Sequence, residues 1–443
     1  MKRFQQIWAL LGLGLLVGVH VAQGEVEVPQ GVATTNQQWS LHGQITSVSQ
    51  GHGEFSSPYS GQNSMVTDEP IRTTYTATLF LGARLWHGGE AYVNPEIAGG
   101  RGLSGTVGAA GFPNGEATRV GDPAPSVYLA RLFLRQTVAL SDATEVVEPE
   151  KNQLGGQQAT ESLVLTLGKI SVGDIFDQNS YSHDPRTQFL NWSLMANGAW
   201  DYPADTRGYT WGFAVEWNLP DWSVRAGTFT VPTEPNGGTF DHQLLQAQGN
   251  VVEVERDWRV GTHPGAARVL GYLNHANMGS YSDALSASTP PNLAATQSHR
   301  SKYGFGLNVE QELTPSLGVM GRLGWNDGRT ETWMFTEIDR SASCGLVLKG
   351  NAWQRPQDQL GVGTALNGLS PDHHEFLGAG GYGFILGDGK IQYAPEWVIE
   401  GYYSIQVCSA FWISPGFTWI DRPADNKARG PVAIGTIRAH VEF

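Results

Sequence analysis

The stretch 171–208 carries the side chains that point most clearly to binding chemistry. Its aromatic residues include Trp192, Trp200 and Tyr202, and its polar residues include Asp184, Arg186, Asn191, Asp201, Asp205 and Arg207. A neutral sugar presents an apolar ring face and many hydroxyls, so a site that prefers it needs flat aromatic surfaces beside fixed donors and acceptors. The stretch supplies both kinds of group, and it therefore predicts a sugar-binding surface.

Three other motifs resemble catalytic or metal sites but lack the context that such sites require. Residues 378–383 match G-x-G-x-x-G, yet no helical pattern follows them and no strand–helix crossover surrounds them, which argues against phosphate binding. Residues 373–375 read His-His-Glu without i, i+4 spacing, which favours a solvated loop. The oxygen-bearing residues Asp174, Asp177, Asn179 and Asp184 lack EF-hand spacing, which favours capped turns. We therefore predict no catalytic residue, no metal and no cofactor.

The elements that position these residues alternate with a period of two. Between Thr74 and Trp86 the apolar face is Tyr75, Ala77, Leu79, Leu81, Ala83 and Leu85, and the other face is mainly polar but interrupted by Phe80. The stretch 127–140 repeats the pattern, with Tyr128, Ala130, Leu132, Leu134, Val138 and Leu140 opposite Arg131, Arg135 and Thr137, and Phe133 as the exception. Because a strand places successive side chains on opposite faces, both stretches predict amphipathic strands.

This alternation predicts strands at 39–50, 74–86, 90–97, 127–140, 162–170, 209–217, 222–231, 251–258, 267–275, 303–312, 317–326, 338–353, 358–367, 391–404, 408–419 and 432–443. Their connections alternate between short turns, such as Arg355-Pro356, and long loops, such as 171–208. This alternation in length is typical of outer-membrane barrels. Two features are irregular: the connection 141–161 is long where a short turn is expected, and Pro395 falls inside a strand.

A soluble β-sandwich or propeller is the alternative, because alternation alone does not identify what covers the apolar face. The end of the chain favours a barrel. Residues 433–443 alternate and finish on the outward-facing aromatic Phe443, whereas soluble chains more often fray into polar residues. The predicted fold class is therefore all-β, a transmembrane antiparallel barrel of about 16 strands with a long loop folded into the lumen.

Composition excludes several other classes of protein. The chain has 443 residues, of which 15 are Trp, 14 Tyr and 17 Phe, and this aromatic content rules out disorder. No apolar run after residue 21 approaches the roughly 20 residues of a spanning helix, which excludes a helical membrane protein. The net charge of -14 opposes contact with a phosphate backbone, so nucleic acid is not an expected partner.

The first residues predict export. Residues 1–24 combine a basic start, a short apolar stretch and small residues before position 24, which indicates a signal peptide rather than an internal helix. A short segment, 25–38, then precedes the barrel at 39–443. Cys344 and Cys408 fall on the twelfth and fifteenth predicted strands, about 14 Å apart, which exceeds the roughly 7 Å limit for a disulfide. We expect two free thiols.

Charged residues of both signs occupy the polar, inward parity of the predicted strands. They are Arg84, Arg131, Arg135, Arg225, Arg322 and Arg438, with Glu253, Glu255, Glu310, Glu396 and Glu400. Opposed guanidinium and carboxylate groups can hold vicinal hydroxyls bidentately, and we expect them to line a pore with the stretch 171–208. Two alternatives stay open: the charges pair only with each other, and the stretch packs on the outer rim.

Residues 174–212 read DIFDQNSYSHDPRTQFLNWSLMANGAWDYPADTRGYTWG, and this block resembles the carbohydrate-selective porin family (OprB-type) of Gram-negative outer membranes. Shorter matches include FSSPYSG at 55–61, NDGRTETWMFTEIDR at 326–340 and RGPV at 429–432. The resemblance implies a sixteen-stranded outer-membrane barrel that passes monosaccharides or short oligosaccharides passively. One departure is Asn426-Lys427-Ala428, where the family pattern has an Asp directly before RGPV.

We therefore predict a passive, carbohydrate-selective porin that is not an enzyme. Its expected partners are neutral sugars, outer-membrane lipid and lipopolysaccharide, and the barrel-assembly machinery through Phe443. The pore-lining residues are predicted to be Arg84, Arg131, Arg135, Trp192, Trp200, Tyr202, Arg207, Arg225, Glu310, Arg322, Glu396 and Glu400. The alternatives are a general, unselective porin and an outer-membrane barrel enzyme that uses Thr436 and His440.

Overall fold

Sixteen antiparallel strands close into a barrel in the computed structural model, which describes residues 36–117 and 124–443. In chain order the strands are β1 (Trp39–His52), β2 (Arg72–Trp86), β3 (Gly89–Gly100), β4 (Ser126–Ala139), β5 (Thr144–Val147), β6 (Gly156–Ala159), β7 (Ser162–Ile170), β8 (Thr210–Asn218), β9 (Trp222–Phe229), β10 (Gln248–Val260), β11 (His263–Met278), β12 (Ser298–Thr314), β13 (Leu317–Asn326), β14 (Arg340–Gly350), β15 (Arg355–Gly368), β16 (Glu396–Cys408), β17 (Phe411–Asp421) and β18 (Val432–Glu442). Strands β5 and β6 form a separate hairpin. The predicted barrel is confirmed. The predicted signal peptide and residues 25–35 lie outside the described residues.

Pairing of β1 with β18 closes the barrel. At the end of this seam the backbone N–H of Gly43 donates to the Phe443 carbonyl at 2.9 Å, and the Phe443 N–H donates to the Gly43 carbonyl at 3.0 Å. The Phe443 ring is exposed on the outer face, as the alternation predicts. The last residue therefore belongs to the barrel wall.

Side-chain alternation along β2 separates the outer and inner faces of the wall. Leu79 is 46% exposed and Leu81 is 42% exposed, whereas Phe80 between them is only 3% exposed. Thr74, Thr76 and Thr78 are buried on the same inner face as Phe80. The apolar parity therefore points outward, towards lipid.

A bulge between β3 and β4 reverses this parity in part of β4. Asn94 pairs with Arg131 and Pro95 pairs with Leu129, so Ala130 has no partner opposite it. Proline cannot donate to the ladder, and one extra residue on a strand moves the preceding side chains to the other face. The prediction that Tyr128 and Ala130 share the outer face of Leu132 is therefore wrong, because Tyr128 donates its hydroxyl to the inward-facing Glu96.

The connections differ between the two rims. One rim has the turns 87–88, 219–221, 261–262, 315–316, 351–354 and 409–410, together with the connection 140–161 that contains the β5–β6 hairpin. The other rim has the long loops 53–71, 101–125, 171–209, 230–247, 279–297, 327–339, 369–395 and 422–431. We call these the short-turn rim and the long-loop rim.

Prolines account for two errors in the predicted strand ends. The strand predicted at 391–404 begins only at Glu396, so Pro395 lies before it. The predicted turn at Arg355-Pro356 is instead the start of β15, and the turn is 351–354. Proline is tolerated at the first positions of a strand, where its missing N–H disturbs the ladder least.

Among the residues that the structure describes, helices lie only in the connections between strands. The α-helices are α1 (Trp192–Met195), α2 (Tyr281–Ala287) and α3 (Pro371–Gly378), and the 3-10 turns are Leu103–Gly105, Val172–Asp174, Leu293–Thr296, Asn351–Trp353 and Pro423–Asp425. Within the described residues, no helix is long and apolar enough to cross a membrane. The predicted solvated loop at 373–375 is wrong, because Ser370 caps α3 and Pro371 starts it. His373 is buried, with Nδ1 2.9 Å from Asp339 Oδ2.

The two cysteines are exposed, free thiols. Cys344 lies on β14, and Cys408 is the last residue of β16, which is the fourteenth strand of the barrel rather than the fifteenth. The two strands are therefore two spacings apart instead of the predicted three, and β15 lies between them.

Candidate functional site

The long loop 171–209 is held by inward-facing side chains of the barrel wall. Arg322 on β13 donates to Asp177 Oδ1 at 3.0 Å, to the Ser182 carbonyl at 2.7 Å and to the Leu194 carbonyl at 2.9 Å. Arg438 on β18 donates to the Gln188 carbonyl at 2.6 Å. Because these donors face inward, the contacts bring the loop against the inner wall.

The three carboxylates among the predicted pore-lining residues accept backbone N–H groups from loops. Glu400 accepts from Leu190 and Asn191, each at 2.7 Å. Glu310 accepts from Ser180 at 2.5 Å. Glu396 accepts from residues 110, 111 and 424 at 2.9, 2.7 and 2.9 Å. These predicted pore residues, like Arg322, bind protein backbone and do not line the cavity that lies beside the loop 171–209.

A cavity of about 520 Å³ lies between the loop 171–209 and the wall formed by β2, β3, β4 and β7. Six of the twelve predicted site residues line it: Arg131, Arg135, Trp192, Trp200, Tyr202 and Arg207. Arg84 and Arg225 do not. Arg84 pairs with Glu90 at 3.1 Å, and Arg225 is shared by Glu216, Glu253 and Glu255 at 3.3, 3.1 and 2.6 Å.

Oppositely charged groups are paired along the cavity wall. Arg131 binds both oxygens of Asp174 at 2.6 Å. Arg186 bridges Glu96 and Glu116 at 3.2 and 3.1 Å. Glu96 is a residue that the sequence prediction missed, although its inward parity in the strand 90–97 could have identified it. These pairs hold opposite charges at fixed points, whereas Arg135 and Arg207 line the cavity without an ion pair among the described residues.

Burial and neighbouring cations shift a carboxyl pKa in opposite directions, and the balance between them differs between Asp184 and Glu116, two carboxyls on loops. Burial alone would raise the pKa of Asp184, but the cations Lys151 and Arg186 outweigh it and hold that pKa well below its ordinary value. At Glu116 burial prevails over Arg186 and raises the pKa. Asp184 therefore keeps its charge, whereas Glu116 accepts a proton more readily.

The predicted aromatic residues stack mainly on other rings of the protein. Trp192 lies parallel to Phe335 and Tyr202, with ring centroids 4.8 and 5.5 Å away. Tyr202 and Phe335 stack at 4.8 Å, and Trp200 meets Phe176 edge-on at 6.5 Å. Phe335 comes from the loop 327–339, which is distant in the chain. Its stacking on Trp192 and Tyr202 therefore could not be predicted from the local sequence.

Two further tyrosines of the cavity lie under guanidinium groups. The Arg207 guanidinium lies 4.0 Å from the centroid of Tyr128, and that of Arg131 lies 5.2 Å from Tyr209. Cation–π contacts of this kind hold the cation in place without neutralising it. The sequence prediction missed Tyr128 because the bulge at Ala130 reverses its parity.

Several polar atoms of residues that line this cavity have no hydrogen-bond partner within the described part of the chain. They are Nε1 of Trp192, Nε1 of Trp200, Nη1 of Arg207, Oε2 of Glu116 and Oγ1 of Thr166. Each of these atoms has almost no exposed surface, and a buried polar atom without a partner costs free energy, so a hydroxyl that reached one of them would bind favourably. Their mixture of donors and acceptors suits a polyhydroxylated molecule.

The comparison with known protein families decides the identity. Residues 62–443 match the carbohydrate-selective porin, OprB family. The chain belongs to this family. It is therefore a carbohydrate-selective porin, as the block at 174–212 indicated, and both the family and the fold are those of a channel rather than of an enzyme.

Solved structures agree with this porin fold. The high-pH structure of Pseudomonas putida OprB is similar to the chain with a TM-score of 0.69 and 17% identity, covering 92% of this chain and 94% of that one. For the low-pH structure of the same protein the TM-score is 0.51 and the identity 14%, with 92% and 93% covered. No curated protein gives a significant match to the chain.

Metal-binding residues are not assembled in the described part of this porin: no group of His, Cys, Asp or Glu there could hold an ion. Asp174 and Asp177, which the sequence places in one oxygen-rich stretch, turn to different arginines of the wall, Arg131 and Arg322. Thr436 and His440 also do not form a nucleophile–base pair, because the ring nitrogens of His440 have other partners. Nδ1 lies 2.8 Å from Thr46 Oγ1, and Nε2 lies 3.1 Å from Glu442 Oε2.

Proposed function

We propose that this porin lies in the outer membrane of a Gram-negative bacterium and lets neutral mono- and short oligosaccharides diffuse passively into the periplasm. The cavity described above is the binding region of the path, and the loop 171–209 is its constriction. The outer apolar face contacts lipid and lipopolysaccharide, and Phe443 is the contact with the barrel-assembly machinery.

One observation carries this proposal: the residues that line the cavity include paired ions and also buried donors and acceptors that have no partner within the described residues. Arg131 and Arg186 have carboxylate partners, whereas the indole Nε1 atoms of Trp192 and Trp200 have no partner within the described residues. A sugar hydroxyl can accept from an indole N–H and can also donate to a carboxylate oxygen. These residues therefore provide more hydrogen-bonding partners for a sugar than for a simple ion.

The expected binding is weak, as transport requires. A dissociation constant of 1 mM corresponds to about -4.1 kcal/mol, and a net hydrogen bond contributes about 0.5–1.5 kcal/mol. A few hydroxyl contacts therefore suffice, and tighter binding would slow exit from the pore. A general, unselective porin is the alternative, and it would conduct salt without any block by sugar.

The two tryptophans act in this proposal mainly through their N–H groups, because their rings pack on protein rings. Replacing either Trp192 or Trp200 by Phe keeps an aromatic ring and removes the N–H donor. Block of single-channel current by a neutral disaccharide should weaken by about 2–10-fold in each variant, the loss of one net hydrogen bond. Salt conductance should stay close to that of the wild type.

Trp217→Phe is the matched control, since Trp217 is 48% exposed on the outer face of β8 and should leave the block unaltered. Unaltered block in both cavity variants would remove the indole N–H groups from the account. A wild-type current that no neutral sugar blocks would favour the unselective porin instead.

A further inference from the structure

The connection 140–161 is the exception on the short-turn rim, and its turn 148–155 reaches into the lumen. Residues 150–153 of this turn line the cavity. The backbone groups of Glu150 and Gln153 bond each other in both directions at 3.1 Å, which closes the turn on itself. The segment is therefore a compact unit and not an extended strand connection.

Inward-facing side chains of β3 and β4 anchor the turn. Asn94 Nδ2 donates to Asn152 Oδ1 at 2.9 Å, and Arg135 Nη1 donates to the Asn152 carbonyl at 2.9 Å. The Leu154 N–H donates to the Tyr92 hydroxyl at 3.2 Å. Since each of these partners is fixed on a strand, the turn has a defined position inside the barrel.

The segment before β1 fixes the base of the turn. The Gln37 N–H donates to the Gly155 carbonyl at 2.9 Å, and Gly155 N–H donates to Gln37 Oε1 at 2.9 Å. The Gln157 N–H donates to Asn36 Oδ1 at 3.0 Å. Residues 36 and 37 thus hold the turn from the rim side, while β3 and β4 hold it from the wall.

Lys151 extends from this anchored turn to two other parts of the channel. Its Nζ lies 2.9 Å from Glu442 Oε2 on β18 and 3.6 Å from Asp184 Oδ2 on the loop 171–209. In the barrel β3 and β18 are separated by β2 and β1, so the contact runs between different sectors of the wall. The Lys151 side chain is 28% exposed, which leaves it within reach of a passing solute.

We propose that the turn 148–155 forms a second constriction at the short-turn end of the lumen and that Lys151 is its specificity-determining residue. The inference rests on the proposed function, in which solutes cross this lumen. The ammonium group opposes cations and keeps Asp184 and Glu442 from attracting them. A solute that passes must fit beside the Lys151 contact, which sets the upper size for sugars.

The test is Lys151→Met, which keeps an unbranched side chain and removes the charge. Asp184 and Glu442 then lose their shared cation, so salt conductance should rise, larger neutral oligosaccharides should permeate, and the cation-to-anion permeability ratio should increase by about twofold or more. The matched control is Lys349→Met. Lys349 lies at the end of β14 on the same rim and has no ion pair among the described residues.

Glu442→Gln is a second test variant, and its expected shift in ion selectivity is opposite to that of Lys151→Met. It removes a negative charge from the same contact, so conductance should rise while ion selectivity shifts towards anions. Equal conductance, sugar size limit and ion selectivity in Lys151→Met and Lys349→Met, with sugar block intact in the wild type, would overturn this inference alone. Absence of sugar block in the wild type would overturn the proposed function instead.

Discussion

At the residue scale, Arg131 shows how a single side chain sets the electrical character of the cavity. Its guanidinium binds Asp174 through two hydrogen bonds of 2.6 Å and lies over Tyr209. A bidentate pair of this kind fixes both partners and cancels their net charge. At this pair the cavity wall therefore presents hydrogen-bonding groups to a solute rather than a net charge of one sign.

Arg131→Gln should shift the pore towards cations, because Asp174 would keep its negative charge without a cationic partner. The measurement is the reversal potential in a salt gradient across a planar bilayer. Arg84→Gln is the control, since Arg84 pairs with Glu90 away from the cavity. Equal reversal potentials in the two variants would contradict the assigned role of Arg131.

The alternation along a strand predicts which side chains face inward, but it does not predict what those side chains contact. Parity identified Arg131 and Glu400 alike as inward-facing. It could not reveal that Glu400 would meet the N–H groups of Leu190 and Asn191, because those residues are far away in the chain. The stretch 171–208 could be selected for its aromatic content. The stacking of Trp192 on Phe335 could not be predicted, because the two residues are also far apart in the chain.

At the scale of elements, the loop 171–209 depends on buried anchors on the wall. Arg322 is almost fully buried and satisfies acceptors on Asp177, Ser182 and Leu194. A guanidinium that bonds carbonyl groups in several directions fixes the path of the chain more firmly than one apolar contact. The position of the cavity wall on the loop side follows from these bonds.

Arg322→Met should loosen this loop without removing any group that lines the cavity. Breaking a buried charge pair by removing one partner costs about 3–5 kcal/mol, because Asp177 is left buried and unpaired. We expect larger and noisier open-channel currents and faster proteolysis within 171–209. Arg256→Met is the control, as the exposed pair of Arg256 with Asp221 contributes at most about 1 kcal/mol. Identical behaviour of the two variants would mean that Arg322 is not an anchor.

Regular strands could be predicted from the sequence because lipid lies on one side of the wall and a polar lumen on the other. Successive side chains therefore alternate between apolar and polar along each strand. The prediction failed where the backbone departs from this repeat. Pro95 opposes the bulge at Ala130 and reverses the side of Tyr128, and the hairpin in 140–161 adds strands outside the barrel. Tyr128 and residues 150–153 of that connection both line the cavity.

At the scale of the whole molecule, the closed barrel provides an apolar outer face, and we propose that two insertions narrow its lumen. The loop 171–209 lies against the inner wall, and the turn 148–155 lies at the short-turn end. The residues that line the cavity between them include paired ions and buried donors and acceptors without partners in the described part of the chain. In our proposal this arrangement favours neutral, hydroxyl-rich solutes over charged solutes of the same size.

The most direct test of this account is a flux measurement on the purified porin in liposomes with three labelled solutes of nearly equal size. These are a neutral hexose, the corresponding hexuronate and the corresponding hexosamine, so that charge varies while shape is nearly constant. The account predicts that the neutral hexose enters faster than both charged analogues at physiological salt. Equal rates for all three solutes would contradict it, because the pore would then select by size alone.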